Sequence, residues 1–143
     1  HHKNLTEGDE KLIKYLASHG HWTPFGHPQL QFRIYAPIFV ARQLVKHQVG
    51  LVWNEVSRRY VDSKPQFYIP KDWRSKPIDK KQGSGEEIVE LTHSEWTDIS
   101  DLLFNSNETY NLLIRKGVAP EQARMLLPQS TYTEWYWTGS LLI

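Results

Sequence analysis

Cysteine is absent from all 143 residues. That absence removes disulfides, thiolate metal sites and every mechanism that needs a sulfur nucleophile. An excess of charge of one sign is missing too. Lys and Arg number 17 against 16 Asp and Glu, a net of +1, so the molecule lacks the long-range field that marks a general nucleic-acid binder. Any basic site has to be local, and a nucleic-acid polymer is not the expected partner. No apolar run approaches the ~20 residues of a membrane span, and His1-His2-Lys3-Asn4 lacks the apolar region of a signal peptide. A soluble cytoplasmic protein with no membrane partner is the expectation. No glycine fingerprint of a dinucleotide fold or a P-loop occurs, and no Gly-x-Ser-x-Gly elbow surrounds Ser57.

What is present is a globular composition with six Trp, seven Tyr and five Phe, rings that serve cores, interfaces or planar ligands. The length suits one domain, residues 1–143, with a core of its own. Thr6 followed by Glu7 and Asp9 reads as an N-cap with acids in the first turn. Leu12, Ile13, Leu16 and Ala17 then predict a helix from Glu7 to Ser18. Gly20 to Pro28 reads as a loop, and the alternation of Gln29 to Ala36 as a half-buried strand. Pro37 suits the first position of a helix with Ile38, Ala41, Leu44 and Val45 on one face. Prolines 65, 70 and 77 punctuate an extended region, and Ser75 to Glu87 reads as a mobile loop. His93-Ser94-Glu95 starts a long helix running toward Gly117, Pro120 opens a short one over Glu121 to Leu127, and Thr131 to Thr138 is a strand. The fold class is α+β, an antiparallel sheet packed with helices.

Residues 41 to 60 concentrate the chemistry, with Arg42, Lys46, Arg58 and Arg59 against the single carboxylate of Glu55. Four cations less one acid leave a local excess of three positive charges, enough to hold a phosphate with help from Ser57 and Asn54. On a continuous helix Arg42, Gln43, Lys46 and His47 fall within an arc of roughly 140°, opposite the packed face. Asn54 to Tyr60 reads as a further short turn or helix, which would make Glu55 and Arg59 neighbours. His19, His21 and His27 invite a metal reading, but acidic or thiol partners are not nearby, and no metal site is expected.

The order of residues is similar to one known family. Tyr35-Ala-Pro-Ile-Phe-Val-Ala-Arg-Gln-Leu-Val-Lys-His-Gln48 followed by Asn54-Glu-Val-Ser-Arg-Arg-Tyr60 resembles the signature of flavin-dependent thymidylate synthases. His19-Gly-His-Trp-Thr-Pro-Phe-Gly-His27, Phe67-Tyr-Ile-Pro70, Gly117 to Pro128 and the aromatic strand Tyr132 to Trp137 match in collinear order.

The resemblance implies the fold of that family and a homotetrameric enzyme with sites at subunit interfaces. Its reaction methylates dUMP to dTMP with methylenetetrahydrofolate as carbon donor, FAD as cofactor and NADPH as reductant. A chain without cysteine fits, because the flavin route needs no sulfur nucleophile on the uracil ring. The resemblance places Arg42, Gln43, Lys46, Glu55, Ser57, Arg58, Arg59 and Arg124 at dUMP. It places Lys46, His47, Gln48, His27, Gln29 and Glu55 at FAD. The triplet reads Lys46-His47-Gln48 where the family has Arg-His-Arg, and the stretch from it to Ser57 is one residue longer. The family's catalytic Arg lies in a segment beyond Ile143, and a strand bearing Arg and Ser precedes His1, so the domain is expected to be truncated at both ends. The second reading is a non-catalytic nucleotide- or flavin-binding or interaction protein of the same fold.

Overall fold

Local hydrogen bonding sets the helix boundaries. A computed structural model describes residues 4–57, 64–79 and 83–142. In chain order the elements are α1 (Glu7–Ser18), α2 (Thr23–Gly26), β1 (Gln29–Pro37), α3 (Ile38–Leu44), β2 (Leu51–Glu55), β3 (Trp73–Arg74), β4 (Ile88–Val89), α4 (His93–Arg115), α5 (Pro120–Ala123), a 3-10 turn (Arg124–Leu126) and β5 (Tyr132–Ser140). The fold is α+β, with one three-stranded sheet in the order β1-β5-β2 and a two-stranded β3-β4 pair.

Thr6 caps α1 by accepting the Asp9 N–H, and the Asp9 carboxylate accepts the Thr6 N–H at 2.8 Å. Thr92 and Glu95 repeat this capping box at α4. Both helices end at a glycine in the left-handed region, Gly20 at φ 70° and Gly117 at φ 82°. His21 N–H reaches Leu16 O and Val118 N–H reaches Leu113 O, the closing bonds of a Schellman motif that a residue with a Cβ disfavours.

By internal packing the chain divides into two units. The first comprises His1–Ile34, Leu44–Glu55 and Glu134–Ile143, and the second Tyr35–Gln43 and Val56–Thr133. In the first unit β2 runs antiparallel to β5 with Leu51 opposite Gly139, Trp53 opposite Trp137 and Glu55 opposite Trp135. Trp135 is fully buried, Trp53 stacks on it at 4.4 Å, and Trp137 meets Trp53 edge-on at 6.1 Å. In the second unit α4 packs on α5 and the 3-10 turn, burying Asn107, Tyr110 and Ala123. Ser106 Oγ donates to Leu126 O, and Tyr35 stacks on Tyr132 at 4.6 Å.

Several expectations need correction. The loop over Gly20 to Pro28 contains α2, where Pro24 in the first turn sets a helical φ. Pro37 ends β1 and does not open α3. Instead the Ile38 and Phe39 N–H groups that α3 leaves unpaired are taken by Thr131 O and Gln129 O. Helix α3 stops at Leu44, so Lys46 and His47 are not part of a helical stripe with Arg42 and Gln43. Asn54 and Glu55 end the strand β2 and do not begin a turn or helix, because residues 51–55 pair with the aromatic run of β5. The reading of Arg58, Arg59 and Tyr60 as part of that turn lies outside the described residues. The flanks of the Ser75 to Glu87 segment are tied together, with Ser75 N–H on Glu87 O and Gly85 N–H on Ser75 O, both at 2.8 Å. A Cβ at Gly85 would collide with Ser75 Oγ. The helix over Glu121 to Leu127 is one α-turn followed by the 3-10 turn.

Apolar residues also stand exposed. Helix α1 buries none of its residues, leaving Leu12 and Ile13 open, and β1 does the same with Leu30 and Phe32.

Trp135→Ala should cost about 3–5 kcal/mol in urea unfolding, whereas Trp22→Ala, at a residue 61% exposed, should stay within about 0.5 kcal/mol. A pH dependence follows from the caps. Hydrogen bonds from the Thr6 side chain and backbone lower the Asp9 pKa, and those from the Thr92 backbone and side chain lower that of Glu95. A depressed folded pKa stabilises above the unfolded value and is lost as pH falls through the folded one. Thermal melts should therefore show a stability drop below about pH 4, and the Thr6→Ala, Thr92→Ala double variant should show a smaller one.

Candidate functional site

The turn between α3 and β2 carries the Lys46-His47-Gln48 triplet. His47 N–H bonds Leu44 O at 3.0 Å, an i to i−3 closure that tightens the end of α3. Leu51 N–H then bonds Gln48 O at 3.3 Å, and Gly50 sits at φ 68°, where only glycine turns cheaply into β2. Lys46, His47 and Gln48 are all exposed.

The first unit holds further residues expected at the cofactor. His27 caps the end of α2, and Gln29 opens β1 with its Nε2 donating to Gly26 O at 3.5 Å. Glu55 ends β2. The second unit holds Arg42 and Gln43 in the last turn of α3, Ser57, and Arg124 at the first position of the 3-10 turn. Arg58 and Arg59 lie outside the described residues. Gln43, Lys46, Glu55 and Ser57 each have an interaction partner. Thus the expected cofactor residues Lys46, His47, Gln48, His27, Gln29 and Glu55 all fall in the first unit. The expected substrate residues divide between the two.

Strand geometry sends the sequence neighbours Asn54 and Glu55 to opposite faces. Successive side chains of β2 point to opposite faces. Glu55 shares a face with Trp53, Trp135 and Trp137, while Asn54 shares the other with Val52, Tyr136, Thr138 and Gln31.

On the Asn54 face lie residues that the sequence reading does not single out. Arg33 grips Glu134 with two hydrogen bonds, at 2.6 and 3.0 Å, and this bonding raises the pKa of the guanidinium. Gln31 Nε2 donates to Thr138 Oγ1 at 3.1 Å. The available signal is the polar residue at every second position, Gln31 and Arg33 in one strand and Glu134, Tyr136 and Thr138 in another.

His19 has a structural role at the end of α1. Its Nδ1 lies 2.9 Å from Tyr15 O and 3.0 Å from Ser18 Oγ, and its ring stacks on Tyr15 at 4.1 Å. Among the described residues no three His, Asp or Glu are grouped to hold a metal, and no helix is long and apolar enough to cross a membrane.

The described arrangement is similar to known proteins over nearly its whole length. A flavin-dependent thymidylate synthase of Thermosipho africanus (strain TCF52B) is 44% identical over 133 residues, covering 92% of this chain and 58% of that protein. One of Dictyostelium discoideum is 39% identical over 137 residues, covering 94% of this chain and 45% of that protein. The solved UMP/dUMP methylase PolB from Streptomyces cacaoi, bound with 5-Br dUMP, superposes with a TM-score of 0.72 at 31% identity, covering 96% of this chain and 61% of that one. The chain thus spans about half the length of the curated relatives it matches. The family model described as thymidylate synthase complementing protein matches residues 1–142, and the chain belongs to that family.

Proposed function

We propose that residues 1–143 act as one domain of a flavin-dependent thymidylate synthase, which converts dUMP to dTMP with methylenetetrahydrofolate as carbon donor, FAD as cofactor and NADPH as reductant. The observation that carries this reading is the unbroken match of the family model from residue 1 to 142. The lack of any cysteine agrees with it, since a route without a sulfur nucleophile must activate the pyrimidine in another way. FAD, when bound, would supply the redox chemistry and the transfer of the carbon unit.

The residues present suit such a cofactor. Lys46, His47 and Gln48 offer an ammonium, an imidazole and a carboxamide on one exposed turn with no carboxylate among them, a donor set for a diphosphate. His27 and Gln29 would add contacts from the start of β1, and Glu55 would accept from a ribose or ring N–H. Arg42, Gln43, Lys46, Glu55, Ser57, Arg58, Arg59 and Arg124 would hold dUMP, its phosphate compensated by the guanidinium groups and its ring oriented for reaction. Homotetrameric assembly is supported by the apolar residues that α1 and β1 leave exposed, which subunit contacts would bury. The cytoplasm is the expected compartment.

The purified protein should bind FAD with absorbance in the visible blue and, supplied with methylenetetrahydrofolate, oxidise NADPH in a dUMP-dependent reaction that forms dTMP. A protein that gains no flavin absorbance and forms no dTMP would overturn the reading. Gln48→Arg should tighten FAD binding by about tenfold, as one charge-assisted two-point contact is gained. His47→Ala should weaken FAD while leaving urea unfolding within about 0.5 kcal/mol of the parent. Equilibrium dialysis beside urea melts separates the two effects. Arg124→Ala should weaken dUMP far more than FAD, and equal losses would contradict its place at the substrate.

A further inference from the structure

The second unit holds a concavity of about 610 Å3, lined by residues 67–72 and Tyr132. Phe67 to Pro70 lie in one of the collinear family matches, yet the function proposed above gives none of these residues a role.

Backbone pairing holds the walls. Phe67 bridges Thr131 in antiparallel fashion, Tyr68 N–H donates to Ser130 O, and Tyr132 N–H donates to Gln66 O, both bonds at 2.8 Å. Tyr35 covers one face of Tyr132, with the ring planes 4° apart, and the Tyr35 hydroxyl donates to Gln66 Oε1 at 2.5 Å. Tyr68 stands at 80° to Tyr132 with the ring centroids 6.3 Å apart. The two phenol rings therefore make a braced corner that needs little ordering when a ligand arrives.

Lys71 and Asp72 complete the lining, both exposed. Neither is engaged in an ion pair or a hydrogen bond among the described residues. Asp72 offers acceptors only and Lys71 donors only. A ligand that answers both presents two neighbouring N–H donors on the edge of a flat ring and carries an anionic group. A 2-amino-4-oxopyrimidine edge has this pattern, because its ring N–H and exocyclic amino group lie side by side and meet a carboxylate at two points, as a guanidinium does. Adenine, hypoxanthine and uracil lack the adjacent pair of donors. Guanine nucleotides and pterins both carry the edge. Of the two, the nucleotide keeps its anion close to the base, in reach of a lysine next to the aspartate, whereas a folate holds its carboxylates beyond an aminobenzoyl ring. The volume falls within the roughly 300–1,000 Å3 of small-ligand sites.

We propose that this concavity is a guanine nucleotide site. The base lies against Tyr68 and Tyr132, its N1–H and N2 amino group bond Asp72, and the phosphate meets Lys71. The reaction proposed above consumes no guanine nucleotide, so this ligand is an effector and not a substrate.

The test is equilibrium dialysis of the whole protein with GMP, guanosine, IMP, AMP and folic acid. GMP should bind, and about tenfold or more tighter than IMP, which lacks the N2 amino group. Asp72→Asn should weaken GMP by about tenfold and remove its advantage over IMP. Lys71→Gln should weaken GMP and leave guanosine, which has no phosphate, unchanged. Both substitutions fall at exposed positions, and urea melts should match the parent within about 0.5 kcal/mol. Excess dUMP should leave bound GMP in place. Failure of GMP to bind overturns the proposal, as does equal affinity for IMP or indifference of both variants. Displacement of GMP by dUMP would show it in the substrate site and overturn the proposal as well. Folic acid bound in preference to GMP, and lost in Asp72→Asn, would assign the pocket to a pterin instead.

Discussion

The pairing of β2 with β5 through tryptophan is the constraint on which the candidate site depends. Trp53 stacked on the buried Trp135, with Trp137 at its edge, fixes the register that places Glu55 opposite Trp135. A slip of one residue would turn every side chain of β2 to the other face. Because residues 51–55 must be extended to make this pairing, the chain has to leave α3 and become extended within residues 45 to 50. The Lys46-His47-Gln48 triplet therefore sits on an exposed turn, its side chains directed by turn geometry. The same register sends Glu55 and Asn54 to opposite faces and so divides the chemistry of the segment in two.

Where short-range chemistry decides, the sequence can be read closely. The limits of α1 follow from Thr6, Asp9 and Gly20, and those of α4 from Thr92, Glu95 and Gly117. Period-two alternation predicts a strand over Gln29 to Ala36, which β1 extends by one residue to Pro37. What could not be read is where a distant partner overrides local preference. Leu44 to His47 look helical by their apolar spacing, yet β5, some 90 residues later in sequence, claims the segment that follows and ends the helix early. Pro37 looks like a helix start, but carbonyls of Gln129 and Thr131 meet the α3 N-terminus and leave Pro37 in the strand. For the site, residue types and order are legible in the sequence, as the division of faces is not. Gln31 and Tyr136 carry no signal of their own, because a polar strand face reads alike whatever lies against it.

Burial is uneven between the faces. Ala41, Tyr110, Ala123 and Trp135 are the buried hydrophobic residues among those described, while Leu12, Phe32, Leu102 and Phe104 stand open. Subunit contacts of the size seen in obligate assemblies would bury such surface.

The most direct measurement is a titration of FAD-loaded protein with dUMP, followed in the visible flavin band. Joint occupancy of one site by flavin and pyrimidine should produce a saturable change in that band, and the change should be lost with Arg124→Ala. A flavin spectrum that dUMP leaves unaltered at saturating concentration would contradict a shared site for the two ligands.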